Sequence, residues 1–589
     1  MLKEPNHSGD TQPAGVETIS AHSVSNHSMK RSYFPGFDRV GAPVPPTLSD
    51  ATKRDVNMPN LADKSKLYAG SKSWLLLTAS LVSSLVMLDS NIVAVSLPAI
   101  GRSLGASFTE VQWVISAYVL TYAALLMASG NYADLKGRRK SMLIGLVVFA
   151  ASSAACGVAT SSVLLNIARA AQGVGGAFLV TGSLAVLSNA FTGAERTQAF
   201  AFWGASLGTA LAIGPILGGV ITNYFGWRWV FLVNVPASAI LIAGTLKFIR
   251  ESRDPNAKRL DVLGTITFSA GLALLIWALI DGNDAGWSSP TIVLRLVVAL
   301  VFLVAFVIGE LHQDRPMVEF GLFRNRTFVG AVLAMIGYGA SAQVMIFFLP
   351  LYLQNAYGFK PLAAGIAMMP FALPMVLAPR ETRLLATRFS GRTLLAAGLA
   401  ITVAGNAMLW LVANSHLPYS LFLVPMLIAG SGAGLLNGQT VQVLQGAVPE
   451  DRAGMASGIA STTRFIGILV SVAALGAVLS DVARNRFVVG ATKIGLSADT
   501  AREAAARVTT GNLSEFLAAL PPGVREPLRS VALAAYGAGF ASAALVAGCV
   551  ALAACLLAFG LISGEETAPS FTPPHANMPC KFIDCRNPL

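Results

Sequence analysis

GNYADLKGRRK, running from Gly130 to Lys140, sits between two stretches apolar enough to cross a bilayer. A turn with one carboxylate, Asp134, and four cations, Lys136, Arg138, Arg139 and Lys140, cannot lie in hydrocarbon. Clustered Lys and Arg in a short loop mark the cytoplasmic side, so this turn both places and orients the two helices it joins. The rest of the chain agrees. Of 589 residues, 54% are hydrophobic and 12% charged, against roughly 25% charged in a soluble domain. The apolar runs are continuous and exceed a helix's crossing length, which excludes a β-barrel built from short alternating strands.

Apolar windows of about 20 residues give fourteen spans, beginning near Trp74, Gln112, Ser141, Val163, Thr197, Trp229, Val262, Thr291, Phe328, Leu362, Thr393, Tyr419, Ala453 and Val531. With the N-terminus inside, the short cytoplasmic loops hold eighteen Lys and Arg, while the short outer loops hold four, Arg102, Arg228, Arg295 and Lys360. That asymmetry puts both termini in the cytoplasm and the protein in the cytoplasmic membrane. It also explains the net charge of +12 without any nucleic-acid partner. A second basic turn, RLLATRFSGR from Arg383 to Arg392, aligns loosely with the first, as a parallel repeat of two six-helix halves would leave it. The expected organisation is therefore a disordered cytoplasmic tail (1–72), an N-terminal six-helix half (73–250) and an inserted two-helix hairpin with its flanking loops (251–326). A C-terminal six-helix half (327–562) with a long outer loop (481–530) and a second cytoplasmic tail (563–589) complete it. Within that loop, TAREAAAR, Thr500 to Arg507, is rich in helix formers.

Four strings carry candidate chemistry. LDSNIVAVSLP, Leu88 to Pro98, puts Asp89 inside an apolar helix, where a carboxylate is costly and must face the bundle interior. NIARAAQGVGG buries Arg169, with Gln172 and Gly173 one turn on. An arginine at that depth needs a carboxylate, carbonyls or water. GASLGTALAIGPILGG gives Gly208, Gly214, Pro215, Gly218 and Gly219, spaced for close helix approach and bending. Near the end, ASTTRFIG places Arg464 within the membrane, and Gln439, Gln442 and Gln445 recur every three residues. These glutamines either line a polar cavity or bond between helices. Each string also has a packing reading: an ion pair for Asp89 and Arg169, tight helix contact for the glycines.

Together these strings resemble the fourteen-helix drug:proton antiporter family of the major facilitator superfamily, over about Trp74 to Gly560. Gly130, Asp134, Gly137, Arg138 and Arg139 match its G-x-x-x-D-x-x-G-R-[RK] turn. Asp89 stands in its L-D-x-T-I-V-N-V-A-L-P signature, with Asn91 and Ala94 departing from it. Arg169 and Gln172 match R-x-x-Q-G, the glycines match the exporter motif G-x-x-x-G-P-x-x-G-G, and WRWVFLVNVP from Trp227 to Pro236 matches a further family string. The resemblance implies proton-coupled efflux of hydrophobic, often cationic compounds by alternating access. Proton coupling would fall to Asp89 and Arg169, gating to the basic turn, and cavity lining to Gln172, Gln439, Gln442, Gln445 and Arg464. A dedicated exporter of one metabolite or siderophore, and a non-transporting receptor or scaffold, are the alternatives. The partners implied are a small-molecule substrate, protons and the lipid bilayer; whether a periplasmic adaptor protein joins them stays open. No cofactor is implied, no metal-spaced His/Cys set occurs, no Walker A string points to ATP, and an enzyme is the least supported reading.

Overall fold

The computed structural model describes residues 61–253, 261–313, 316, 318–415, 417–448, 453–510 and 522–563. Most of both expected tails, and the loop cations Lys258, Arg259, Arg315 and Arg452, lie outside these residues. Every regular element among the described residues is helical. The first half comprises α1 (Leu61–Leu104), α2 (Phe108–Lys136), α3 (Arg138–Gly157), α4 (Ser162–Ala190), α5 (Gly193–Tyr224), α6 (Arg228–Leu232) and α7 (Asn234–Phe248). The hairpin is α8 (Val262–Ala285) and α9 (Pro290–His312). The second half runs through α10 (Arg326–Gly337), α11 (Met345–Asn355), α12 (Pro361–Ala367), α13 (Met369–Leu385), α14 (Gly391–Asn414), α15 (Leu423–Gly446), α16 (Ala453–Lys493), α17 (Ala498–Thr510) and α18 (Pro522–Leu561).

Among the described residues thirteen helices are long and apolar enough to cross a membrane, and the pair α12 and α13, bent by 43°, makes fourteen when it is taken as one span. The bend falls where Pro370 offers no amide for the helical ladder. Residues Tyr338–Gln343 form a π-helical stretch between α10 and α11. α1 begins at Leu61, inside the stretch expected to be tail.

The expected outer loop at 481–530 is mostly helix. α16 continues to Lys493, α18 starts at Pro522, and the expected helix at Thr500–Arg507 is the middle of α17. Charged residues such as Arg484 and Arg486 end the hydropathy window, but they do not end a helix whose next turns bury Phe487 and Ala491. α17 presses Ala501, Ala504, Ala505 and Val508 into the same core, so packing sets the length of α16. Residues 511–521 lie outside the described residues.

Close approach between the halves concentrates at the end remote from the basic turn, here termed the distal end. A Cβ on Gly219 would lie 2.6 Å from the Pro361 carbonyl oxygen, and one on Gly365 would strike the Pro215 carbonyl, so α5 and α12 meet backbone to backbone. Gln354 donates to the Val95 carbonyl (2.7 Å) and Gln112 to the Val472 carbonyl (2.9 Å), both across the two halves. Toward the basic turn the contact thins. Gly458 has nothing nearer than the Met127 side chain at 3.8 Å, and Gly204, Gly208 and Gly438 face open space. The interface is closed at the distal end and opens toward the basic end.

Gly365→Val is expected to wedge α5 from α12. Overpacking of this kind costs about 1–3 kcal/mol, enough to shift a two-state equilibrium roughly tenfold. Spin labels at Ser103 and Lys360, exposed residues near the distal ends of the two halves, should report a longer mean distance in the variant; an unchanged distribution contradicts the closure described.

Candidate functional site

The most concentrated polar arrangement lies inside the first half. Asp89 and Arg169 are 0% and 1% exposed, Asp89 near the middle of its span and Arg169 two turns into α4. Arg169 Nη1 donates to Asp89 Oδ2 at 2.7 Å. The second carboxylate oxygen, Oδ1, accepts from Gln172 Nε2 (2.9 Å) and Asn234 Nδ2 (2.7 Å). Three donors from two other helices thus satisfy an anion that hydrocarbon would not tolerate. The arginine is held independently as well. Its Nε donates to the Val114 carbonyl (3.0 Å), Nη1 also donates to Gln172 Oε1 (2.7 Å), and its guanidinium lies 4.2 Å from the centre of the Tyr118 ring and 5.7 Å from that of Phe231. Gln172 is anchored in turn to Ser153 Oγ at 2.8 Å.

Local sequence explains the convergence. Gly173 lets α4 approach α2 so closely that a Cβ there would meet the Tyr118 carbonyl, which brings Arg169 against Val114 and Tyr118. Gly214 and Gly218 do the same for α5 and α1, standing against Asn91 and Ile92. Asn91, one of the two departures from the family signature, turns its amide back to the Met87 carbonyl (2.6 Å) and takes no part in the Asp89 cluster.

The basic turn is built around Gly137, whose φ of 121° suits glycine and breaks α2 from α3. Asp134 receives Arg138 through Nε (3.0 Å) and Nη2 (2.9 Å). The Glu251 carboxylate caps α3, accepting from the backbone amides of Arg139 (3.1 Å) and Lys140 (3.0 Å), in the space a Gly137 side chain would fill. Arg139 reaches the Leu246 carbonyl (3.0 Å). The turn therefore ties α2, α3 and the end of α7 together. Its loose sequence counterpart is built differently: Ser390 caps α14 with φ −68°, and Arg392 lies over the Phe559 ring.

Among the expected cavity residues, Gln172 does not line a cavity; it is fully buried as the link between Asp89 and Ser153, because α3 and α4 close over it. Gln439 is buried and donates to the exposed Gln442 at 3.3 Å, and Gln445 is half-buried. Arg464 is half-buried on α16. In the glycine motif, Gly214, Gly218 and Gly219 make the close approaches their spacing predicts, whereas Gly208 faces open space on the side where the halves part. Sequence reading missed Asn234 and Glu251. A lone Asn inside WRWVFLVNVP carries no charge to draw notice, and Glu251 follows the last apolar residue of its helix like any loop acid. At the foot of the hairpin Glu310, expected near a helix end, is buried and accepts from the Val318 amide at 3.1 Å. Nearby Asp261 caps α8; burial pushes its carboxyl up, but hydrogen bonds from the Gly264 amide, Glu310 and Gln313 outweigh this and hold it below its usual range.

Residues 79–472 match the profile of the Major Facilitator Superfamily. The chain is 35% identical over 397 residues to the multidrug resistance protein Stp of Mycobacterium tuberculosis, covering 67% of this chain and 74% of that one. It is 31% identical over 492 residues to the multidrug efflux pump LfrA of Mycolicibacterium smegmatis, covering 82% and 95%. A crystal structure of a bacterial homologue of the human lysosomal transporter Spinster, in an inward-facing and occupied conformation, superimposes with a TM-score of 0.58 over 84% of this chain and 98% of that one. At 16% identity the likeness is one of fold.

Breaking a buried ion pair from one side costs about 3–5 kcal/mol, because an uncompensated charge remains. Arg169→Gln, which strands the Asp89 carboxylate, should lower the melting temperature of the purified protein well beyond Asp89→Asn, in which the guanidinium keeps the Gln172 and Val114 acceptors and the Tyr118 ring, and the double variant should recover a substantial part of the Arg169→Gln loss. Additive losses in that double-mutant cycle would mean that the two side chains do not depend on each other.

Proposed function

The chain belongs to the major facilitator superfamily, and on that premise we propose that it exports hydrophobic small molecules across the cytoplasmic membrane in exchange for protons. Orientation follows from the positive-inside bias: the basic turn is cytoplasmic, the distal end is outside, and both termini are inside. In that orientation the opening between the halves faces the cytoplasm, where cargo enters. Rocking of the halves about the central interface then carries it outward. Relatives named for multidrug resistance and efflux support export as the direction.

The observation that carries the proton assignment is the double anchorage of Arg169. Were Asp89 simply a structural counter-ion, neutralising it would strand a buried guanidinium. Here Gln172 Oε1, the Val114 carbonyl and the Tyr118 ring all hold the cation independently of the carboxylate. Asp89 can take a proton and give up its share of Arg169 while the arginine keeps two acceptors and a π face. That gives the pair two states of tolerable energy, which a coupling site requires. In the state described here the two oxygens of Asp89 accept from three donors; proton uptake is assigned to the state opened at the distal end.

The basic turn is the second working part. Asp134, Arg138 and Glu251 clamp three helix ends of the first half into one rigid piece, so that the half moves as a body. A periplasmic adaptor is not required by this scheme, and α17, packed against α16 and α18, is the surface such a protein would meet first.

Asp89→Asn should insert normally and lose export driven by an imposed pH gradient. Gradient-driven efflux from proteoliposomes that persists at the wild-type rate would remove Asp89 from the coupling step. Asp134→Ala should cut the maximal transport rate roughly tenfold, a barrier change of about 1.4 kcal/mol, with substrate affinity little altered. Weakened binding at an unchanged rate would contradict a role in switching.

A further inference from the structure

Arg464 lies eleven positions into α16, about 16 Å along the helix axis, near the middle of a hydrocarbon layer about 30 Å thick. Tyr122 on α2 and Tyr338 in the π-helical stretch are likewise central to their spans, and a Cβ on Gly339, next to Tyr338, would strike the Arg464 carbonyl. Tyr122 packs edge-on against Phe465, with ring centroids 4.5 Å apart, and this contact crosses from one half to the other. Tyr338 in turn donates to Asn437 Oδ1 at 3.2 Å. Arg464 thus stands at the seam between the halves, at mid-depth, on the face that opens toward the basic end.

Its bonding contrasts with that of the other arginine at this depth. Arg169 is buried and saturated. Arg464 forms no ion pair and donates no hydrogen bond to any described residue, and its Nε is buried without a partner. The neighbouring Phe465 ring lies 4.8 Å from the guanidinium carbon. The fully buried carboxylates among the described residues are elsewhere occupied: Asp89 is closed on Arg169, and Glu310 sits at the foot of the hairpin. A half-buried guanidinium held in the membrane without a carboxylate partner favours an anion beside it. The π-helical stretch beside it is the kind of irregularity that concentrates at functional positions.

We propose that Arg464 is the charge-recognition residue of the cargo site, and that the site takes hydrophobic weak acids: aromatic molecules bearing a carboxylate or an acidic phenol. The planar fork of the guanidinium meets the anionic oxygens, the half-buried Asn437 supplies a further polar contact with Tyr338 buried behind it, and the edge of the Phe465 ring, 7% exposed and backed by the buried Tyr122, offers the aromatic surface. A cationic cargo would meet a positive charge here with no accessible carboxylate to balance it. The inference rests on the export reading above and narrows it to one substrate class.

A matched set of fluorescent probes separates the two claims: anthracene-9-carboxylate, the protonated 9-(aminomethyl)anthracene and the neutral anthracene-9-methanol. Binding to the purified full chain and efflux from proteoliposomes are measured for each. The carboxylate should bind roughly tenfold tighter than the alcohol, as one charge-assisted hydrogen-bond pair allows, and the amine should bind more weakly than the alcohol. Arg464→Gln should bring the carboxylate down to the level of the alcohol in the same variant, with an unchanged helical far-UV signal showing that the variant is folded. Arg464→Lys, keeping the charge without the fork, should retain part of the preference. Equal binding of amine and carboxylate, or an Arg464→Gln variant that still prefers the carboxylate, overturns the assignment. Efflux of the alcohol and amine without the carboxylate overturns it while leaving export intact; no binding or efflux of any probe overturns both.

Discussion

The first half is organised around one ion pair that the bilayer makes obligatory. Placing Asp89 at mid-depth of α1 leaves few solutions, since an uncompensated charge in hydrocarbon costs at least a few kcal/mol. The fold answers with Arg169, Gln172 and Asn234 from α4 and α7. Everything needed to bring those donors within 3 Å follows from small residues. Gly173 seats α4 on α2, Gly214 and Gly218 seat α5 on α1, and Gly175 lets α4 meet the Phe149 backbone of α3. In lipid, where apolar side chains gain nothing by leaving one solvent for another, such contacts and hydrogen bonds are what bind helices together.

That logic explains what the sequence could and could not reveal. Charges in apolar runs are conspicuous, so Asp89, Arg169 and the basic turn are legible at once, and the fourteen spans with their inserted hairpin follow from hydropathy and loop charge. The partners of those charges are far less so. Asn234 and Asn437 are neutral side chains in apolar strings, and only the crossing of helices distant in sequence shows which one meets a carboxylate. Gln172 looks the same whether it lines a cavity or locks a buried pair; the closure of α3 over α4 decides it. The outer segment was misjudged for a related reason: hydropathy measures fit to lipid, and beyond Ser480 the helix is stabilised by protein, with Phe487, Ala491 and Leu528 buried among α16, α17 and α18.

The two halves treat their central arginines in opposite ways. Arg169 faces inward among its own helices and is neutralised there, so its pair contributes no net charge to the interface. Arg464, half-buried beside Phe465 at the seam, has no carboxylate partner among the described residues. A transporter of this plan needs both kinds of site: a titratable one shielded enough to hold a proton against water, and an accessible one where cargo binds and leaves. Tyr118 and Tyr122 lie between them, their rings stacked with centroids 6.1 Å apart, the first over Arg169 and the second against Phe465. A shift of α2 that accompanies loss of the Asp89 contact would therefore be felt at the neighbour of Arg464 through aromatic packing alone, since packed interfaces respond by switching between arrangements.

The inserted hairpin fits the same mechanics. Asp284, at the distal end of α8, accepts from Thr109 of α2 (2.7 Å) and from Arg484 of the extended α16 (2.7 Å), while Asn283 donates to the Ala477 carbonyl (2.6 Å). One carboxylate thus bridges the first half, the hairpin and the second half at the end where the interface is closed. Arg484 can reach it only because α16 continues past the point where its hydropathy fails. The added helix length and the added helix pair therefore meet in one ion pair: the extension of α16 supplies the cation and the hairpin supplies the anion. Exposed ion pairs contribute little each, typically below about 1 kcal/mol. This one, joined by two neutral hydrogen bonds and set against the backbone contacts of Gly219 and Gly365, adds bias to a gate without locking it.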